Sequence, residues 1–284
     1  GANGPATITN PTNGSILVQG GDSNVLYRGS ITNSAGNAVK VDGTTGGSVT
    51  VTNPSGTSTE TGLGLVVQNS SGDVLIEKFK VTSQQAGLLV QNNTFSGATG
   101  GVFRNLTITG TSASAPGVSL SNNTGPIGLE NVAVTTKNAT GFLGVNNRQI
   151  TMTGNNSVTT TSAAALSLTN DAAILDTTTL LFTSLSSTDS PTNGVLLSGV
   201  DGSLDVTGTG ITDADFSAGT LVGVGIVDSK GQITLSHTLA NDRITEGTET
   251  LKISLFEDAA NSKQLAVGTV SIQDTSVAGG LVTY

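Results

Sequence analysis

Five segments of this chain repeat one phrase: Gly64–Asn69 (GLVVQN), Gly87–Asn92 (GLLVQN), Gly117–Asn122 (GVSLSN), Gly141–Asn146 (GFLGVN) and Ala165–Asn170 (ALSLTN). Their starts lie 23, 30, 24 and 24 residues apart. In each, the residues one and three places after the start are apolar (Leu65/Val67, Leu88/Val90, Val118/Leu120, Leu166/Leu168), with Phe142/Gly144 the imperfect case. Alternation of period two marks a short β-strand with one buried face. A strand that recurs at this interval means a solenoid, because each coil buries its inward side chains only against a neighbouring coil.

Every segment closes on an asparagine: Asn69, Asn92, Asn122, Asn146 and Asn170. Asparagine tolerates left-handed backbone and bonds its own turn, so it suits a tight corner after a strand. Stacked at the strand spacing of about 4.8 Å, the amides can bond one another as a ladder. The pattern predicts that this column is buried and structural. Weaker segments flank the set at Ser15–Val18, Ala38–Val41 and Gly194–Leu197, where the asparagine is missing. The expectation is an all-β chain: an N-terminal arm over residues 1–13, then a parallel β-helix of about eight coils over 14–208.

A second column supports the register. Phe79-Lys80-Val81, Leu106-Thr107-Ile108 and Val132-Ala133-Val134 recur at 27 and 26 residues, each just after Glu77-Lys78, Arg104-Asn105 or Glu130-Asn131. If these segments stack, Arg104 lies between Glu77 and Glu130 on the outer face. Exposed ion pairs stabilise little, so their predicted role is register and solubility.

Composition narrows the function. Aromatic residues make up 3% of the chain and cysteine is absent, so the core must be aliphatic and no disulfide holds it. A net charge of −9 disfavours nucleic acid and anionic membrane surfaces, which need clustered Lys and Arg. No apolar run approaches the ~18 residues of a membrane helix, so no membrane insertion is expected. The carboxylate pairs Asp171/Asp176 and Asp201/Asp205 are read as turn or outer-face residues, and His237 as a structural side chain without a Ser or Cys partner. Carbohydrate cleavage needs converging acids, so the chain is read as no enzyme.

After Gly208-Thr209-Gly210 the phrasing changes. Thr220–Val227, a turn at Asp228–Gly231 and Gln232–His237 read as a hairpin, followed by an acidic loop, an amphipathic strand and a last strand Ala266–Ile272. Nine of the twenty acidic residues lie after residue 210. This tail, 209–284, resembles the Calx-beta family through Asp242, Glu246, Gly247 and Glu249 before a strand and Ser271–Asp274 at its close. The resemblance implies a small antiparallel immunoglobulin-like β-sandwich, as in large bacterial surface proteins, including cyanobacterial ones. It also implies Asp242, Glu246, Glu249 and Asp274 as candidate calcium ligands, with a solvated acidic loop as the other reading. The solenoid resembles right-handed parallel β-helices of the pectate-lyase and adhesin kind.

The functional expectation is a secreted structural or adhesive protein of the extracellular space or cell surface, a rigid spacer that self-associates into a filament or surface layer. Its expected partner is itself, head to tail, by strand donation from residues 1–10. Surface glycans are a further expected partner, and a polysaccharide-binding or polysaccharide-cleaving β-helix is the alternative.

Overall fold

The computed structural model describes residues 6–32, 35–54, 64–96, 99–170 and 178–207, and, as backbone, 248–256 and 264–273. Up to residue 207 the chain is a parallel β-solenoid, with no helix among the described residues. Its first face is an eight-stranded sheet with one four-residue strand per coil. The strands are β2 (Ile16–Gln19), β4 (Val39–Asp42), β6 (Leu65–Gln68), β8 (Leu88–Gln91), β10 (Val118–Ser121), β12 (Phe142–Val145), β15 (Leu166–Thr169) and β18 (Val195–Ser198). Each pairs with the next without a slip. Against an expectation of about eight coils, the chain makes about seven turns, because the eight segments are rungs and seven turns join the first to the last.

The other two faces share an 11-stranded sheet. It contains β1 (Ala6–Thr9), β3 (Val25–Thr32), β5 (Ser48–Thr52), β7 (Asp73–Ser83), β9 (Gly101–Gly110), β11 (Pro126–Lys137), β13 (Gln149–Thr153), β14 (Ser157–Thr161), β16 (Thr178–Phe182), β17 (Ser184–Thr188) and β19 (Gly202–Val206). The long strands β7, β9 and β11 turn in their middles at Lys78, Asn105 and Asn131, whose φ values are 64°, 54° and 55°. Their first halves therefore build the second face and their second halves the third. Later coils break at the same place, into β13 and β14 and then into β16 and β17.

Side chains alternate in and out along most strands, and the inward ones form one continuous apolar column set. The core is aliphatic, with Phe79, Phe103, Phe142 and Phe182 fully buried among Leu, Ile and Val. Two glycines at inward positions make room for bulky side chains nearby. Phe142 belongs to the segment whose second inward position is Gly144, and a Cβ on Gly144 would run into Leu168 Cδ2 of the next coil. Phe95 fills the space over Gly101, where a Cβ would sit 2.7 Å from its ring. In the irregular repeat Phe142/Gly144, the volume that Gly144 leaves open is thus filled by Leu168 of the next coil.

At the N-terminus, Ala6–Thr9 of the segment expected as an arm is a rung of its own chain. It pairs in parallel with Gly29–Thr32, and the Asn10 amide continues the ladder to the Thr32 carbonyl at 3.0 Å. In the tail, β20 (Thr248–Phe256) and β21 (Gln264–Gln273) form an antiparallel pair with a register shift at Leu255/Phe256. These correspond to the amphipathic strand and the last strand read from sequence. The remaining residues of the expected sandwich, 209–247 among them, lie outside the described residues.

Gly144→Val is expected to lower stability by about 1–3 kcal/mol through overpacking against Leu168, measured by denaturant unfolding. Unchanged stability would mean that the Phe142 coil has slack its packing does not show.

Candidate functional site

The features that organise this molecule lie at the corners of the coil. Asn69, Asn92, Asn122 and Asn146 follow the first-face strands with φ between 53° and 55°, the left-handed region. In the flanking coils that lack asparagine, Gly20, Gly43 and Gly199 occupy the same register position with φ of 66°, 70° and 63°. Glycine reaches this conformation without a Cβ penalty, and asparagine is the side chain that tolerates it best. The sequence interruption is therefore a substitution of one corner residue by another.

The burial of this column is where structure departs from expectation. Asn69, Asn92 and Asn122 are exposed, while Asn146 and Asn170 are half-buried. The buried column is the next residue along: Ser70, Asn93, Asn123 and Asn147, each no more than 1% exposed. Alternation along the strand would turn Asn69 inward. A left-handed residue changes the chain direction and hands the inward position to its successor, so parity cannot be carried through the corner. The doubled asparagines Asn92-Asn93, Asn122-Asn123 and Asn146-Asn147 were the available signal, one member for each duty.

The inner amides are fully used. Asn123 accepts the Asn93 backbone N–H at 3.2 Å and the Asn93 Nδ2 at 2.8 Å through its Oδ1. Its own Nδ2 donates to the Val90 carbonyl at 3.0 Å and to Asn147 Oδ1 at 2.7 Å. Asn93 in turn accepts the Ser70 N–H at 2.9 Å and donates to the Val67 carbonyl at 3.1 Å. Asn170 breaks the outer column to serve this one: its Oδ1 accepts the Asn147 N–H at 3.1 Å and its Nδ2 donates to the Asn147 carbonyl at 2.9 Å. Each inner amide thus links neighbouring coils through backbone and side chain together. The exposed column has its own thinner ladder, with Asn122 Nδ2 donating to Asn92 Oδ1 at 3.3 Å.

Two asparagines repair the second corner in the same manner. Asn53, fully buried, clasps Ile31 by accepting its N–H and donating to its carbonyl, both at 3.3 Å. Asn156 accepts the Val132 N–H at 2.9 Å and donates to the Leu181 carbonyl at 3.1 Å. A carboxamide sets an NH2 donor group and a carbonyl acceptor at the spacing of a peptide group, so it can replace a missing length of strand.

The outer charges lie in columns. Arg104 Nε donates to Glu77 Oε2 at 2.7 Å, Thr52 donates to Glu77 Oε1 at 2.8 Å, and register sets Glu130 on the other side of Arg104. On the first face, Asp42 receives Lys40 at 3.1 Å, Gln68 Nε2 at 2.9 Å and Asn69 Nδ2 at 3.1 Å, and Gln91 extends the row to Gln68 at 3.1 Å. Partial burial pushes both carboxyls up. For Glu77, the hydrogen bonds from Thr52 and Arg104 and the charges of Arg104 and Lys78 together outweigh it; for Asp42, those from Asn69, Lys40 and Gln68 and the Lys40 charge do so. Both titrate below their ordinary values.

The acids considered for calcium are spread differently. Glu249 lies on β20, whereas Asp242, Glu246 and Asp274 fall outside the described residues, as do Asp171, Asp176 and His237. Among the described residues no three His, Asp or Glu side chains converge as a metal-holding group. Asp201 and Asp205 lie at the last coil, where the Asp201 carbonyl accepts the Thr178 N–H at 2.9 Å. The fold thus defines a parallel β-solenoid. Comparison with protein-family models, with curated proteins and with solved structures finds no match.

Two outcomes follow from the columns. Asn123→Leu should cost about 1–3 kcal/mol, because it strands the Asn93 N–H and the Val90 carbonyl inside the stack. Asn122→Gly, next to it, should cost only a few tenths because glycine accepts the corner; equal losses in chemical denaturation would refute the division of labour. For pH, depressed folded values mean that Glu77 and Asp42 stabilise above their unfolded pKa values, near 4. That contribution disappears as pH falls through the lower folded values. Between pH 5 and pH 2 the melting temperature of Glu77→Gln should fall less steeply than that of wild type, and parallel curves would remove Glu77 from the account.

Proposed function

We propose that this chain is a secreted, non-catalytic structural or adhesive protein of the extracellular space or cell surface, a stiff β-helix spacer that self-associates into a filament or surface layer. The observation that carries the reading is the unbroken register of the first face, where all eight rungs pair residue for residue. Seven spacings of about 4.8 Å give this face a length of about 34 Å. Bending the rod would break backbone ladders and inner amide bonds together, so stiffness is its mechanical property. On the outer faces, the members of the Glu77–Arg104 and Asp42–Gln68–Gln91 rows engage one another along the axis. Such rows support register rather than chemistry.

A second reading rests on the third face, where Thr82, Thr109, Thr135, Thr159 and Ser186 form an outward column of hydroxyls in register. Hydroxyls repeated at the strand spacing could bond a polysaccharide laid along the rod, which makes a surface glycan the partner. Co-sedimentation with insoluble polysaccharides separates this reading from self-association. For the tail, calcium held by Asp242, Glu246, Glu249 and Asp274 would stabilise the folded form by binding it alone.

Negative-stain imaging of the native protein, with and without millimolar calcium, is expected to show linear or layered polymers. Lone rods at every concentration in both conditions would overturn the structural reading.

A further inference from the structure

The two ends of the solenoid are complementary. At the N-terminal end β2 is the terminal strand of its sheet, and residues Val25–Arg28 of β3 pair on one side only, with β5. The large hydrophobic side chains most exposed among the described residues, Leu17 and Leu26 at 63% each, both lie on this first coil. Its inward residues Ile16, Val18, Val25 and Tyr27 are only partly buried, although they continue the core columns. At the other end, β18 and β19 are the terminal strands of their sheets. Leu204 there is also only partly buried.

We propose that a second copy of this chain docks end to end, with its β18 and β19 adding to β2 and to the Val25–Arg28 segment of β3 as one further rung. The proposal rests on the self-association reading above and specifies its contact. Stacking in register sets Val195 and Leu197 of one copy over Ile16 and Val18 of the next, Leu204 over Tyr27, and Leu196 over the exposed Leu17. At that level the third face is already supplied, because β1 sits one rung beyond Gly29–Thr32. The incoming β18 and β19 together with β1 therefore complete a three-faced coil.

Charge selects this partner. Arg28 heads the outward column that passes through Thr52, Glu77, Arg104, Glu130, Thr153 and Leu181 and ends at Asp205. Both terminal members are exposed. Docking brings Asp205 of one copy beside Arg28 of the next, one rung apart, the arrangement that within the chain gives the 2.7 Å Glu77–Arg104 contact. A contact between two different ends is heterologous and does not close, so it propagates as a filament.

The test uses the full chain with Arg28→Glu, Asp205→Lys and the double exchange, followed by sedimentation velocity and negative stain. Neither side chain bonds another described residue, so melting temperatures should match wild type. Wild type is expected to form rods in a concentration-dependent way. Each single variant should need at least roughly tenfold more protein to associate, since like charges then meet, and the double exchange should restore assembly. In an equimolar mixture of the two single variants every alternating junction again joins opposite charges, so mixed rods should form at concentrations where neither variant associates alone. Rods that form equally well from both single variants would overturn this end contact and leave self-association through another surface standing. Wild type that stays monomeric to millimolar concentration would overturn both.

Discussion

A coil of about 24 residues that closes on itself must change direction sharply, and the left-handed residue is what makes each change possible. Strands, core and ladders all follow from where those residues fall. Asn69, Asn92, Asn122 and Asn146 turn the chain out of the first face, Lys78, Asn105 and Asn131 out of the second, and Asn138, Ser162 and Asp189, with φ of 61°, 60° and 53°, out of the third. Left-handed backbone costs an ordinary residue about 1–2 kcal/mol, so most of these positions are held by asparagine, aspartate or glycine. Once the corners repeat in register, the strands between them have no freedom to slip, and inward positions must align.

Closing corners in this way creates a second problem, which the inner amides answer. The peptide after each first-face corner points into the stack, where water does not reach, and its N–H needs an acceptor. Asn93, Asn123 and Asn170 supply it from the coil above. Asn53 and Asn156 meet the same need at the second corner. The asparagines of the solenoid thus divide into two sets, one that bends the backbone and one that satisfies what the bending exposes.

The solenoid was legible in the sequence because its signals are local and repeated. Period-two alternation inside a period of about 24 has few other solutions, and Glu77, Arg104 and Glu130 aligned as their spacing implied. What resisted reading was the inside of the corner. Whether Asn122 or Asn123 faces the core depends on one φ angle, and composition is blind to that. The place of Ala6–Thr9 was hidden for another reason, since a four-residue strand beside Gly29–Thr32 carries no repeat of its own. The candidate calcium residues were named through a family resemblance, and a ligand set gathered from a loop and a distant strand end has no periodicity to expose it.

The β1–β3 pair and every rung after it join residues separated by roughly one coil, whatever the total length of the chain. Contact separation in such a molecule does not grow with size, because each coil meets only its neighbours. At ordinary synthesis rates of about 5–20 residues per second a new coil of about 24 residues emerges every few seconds. Each can dock on the one before it without waiting for the C-terminus. A chain built this way can gain or lose whole coils between Asn69 and Asn170 and still fold, which makes its length, rather than its topology, the easiest property for evolution to change.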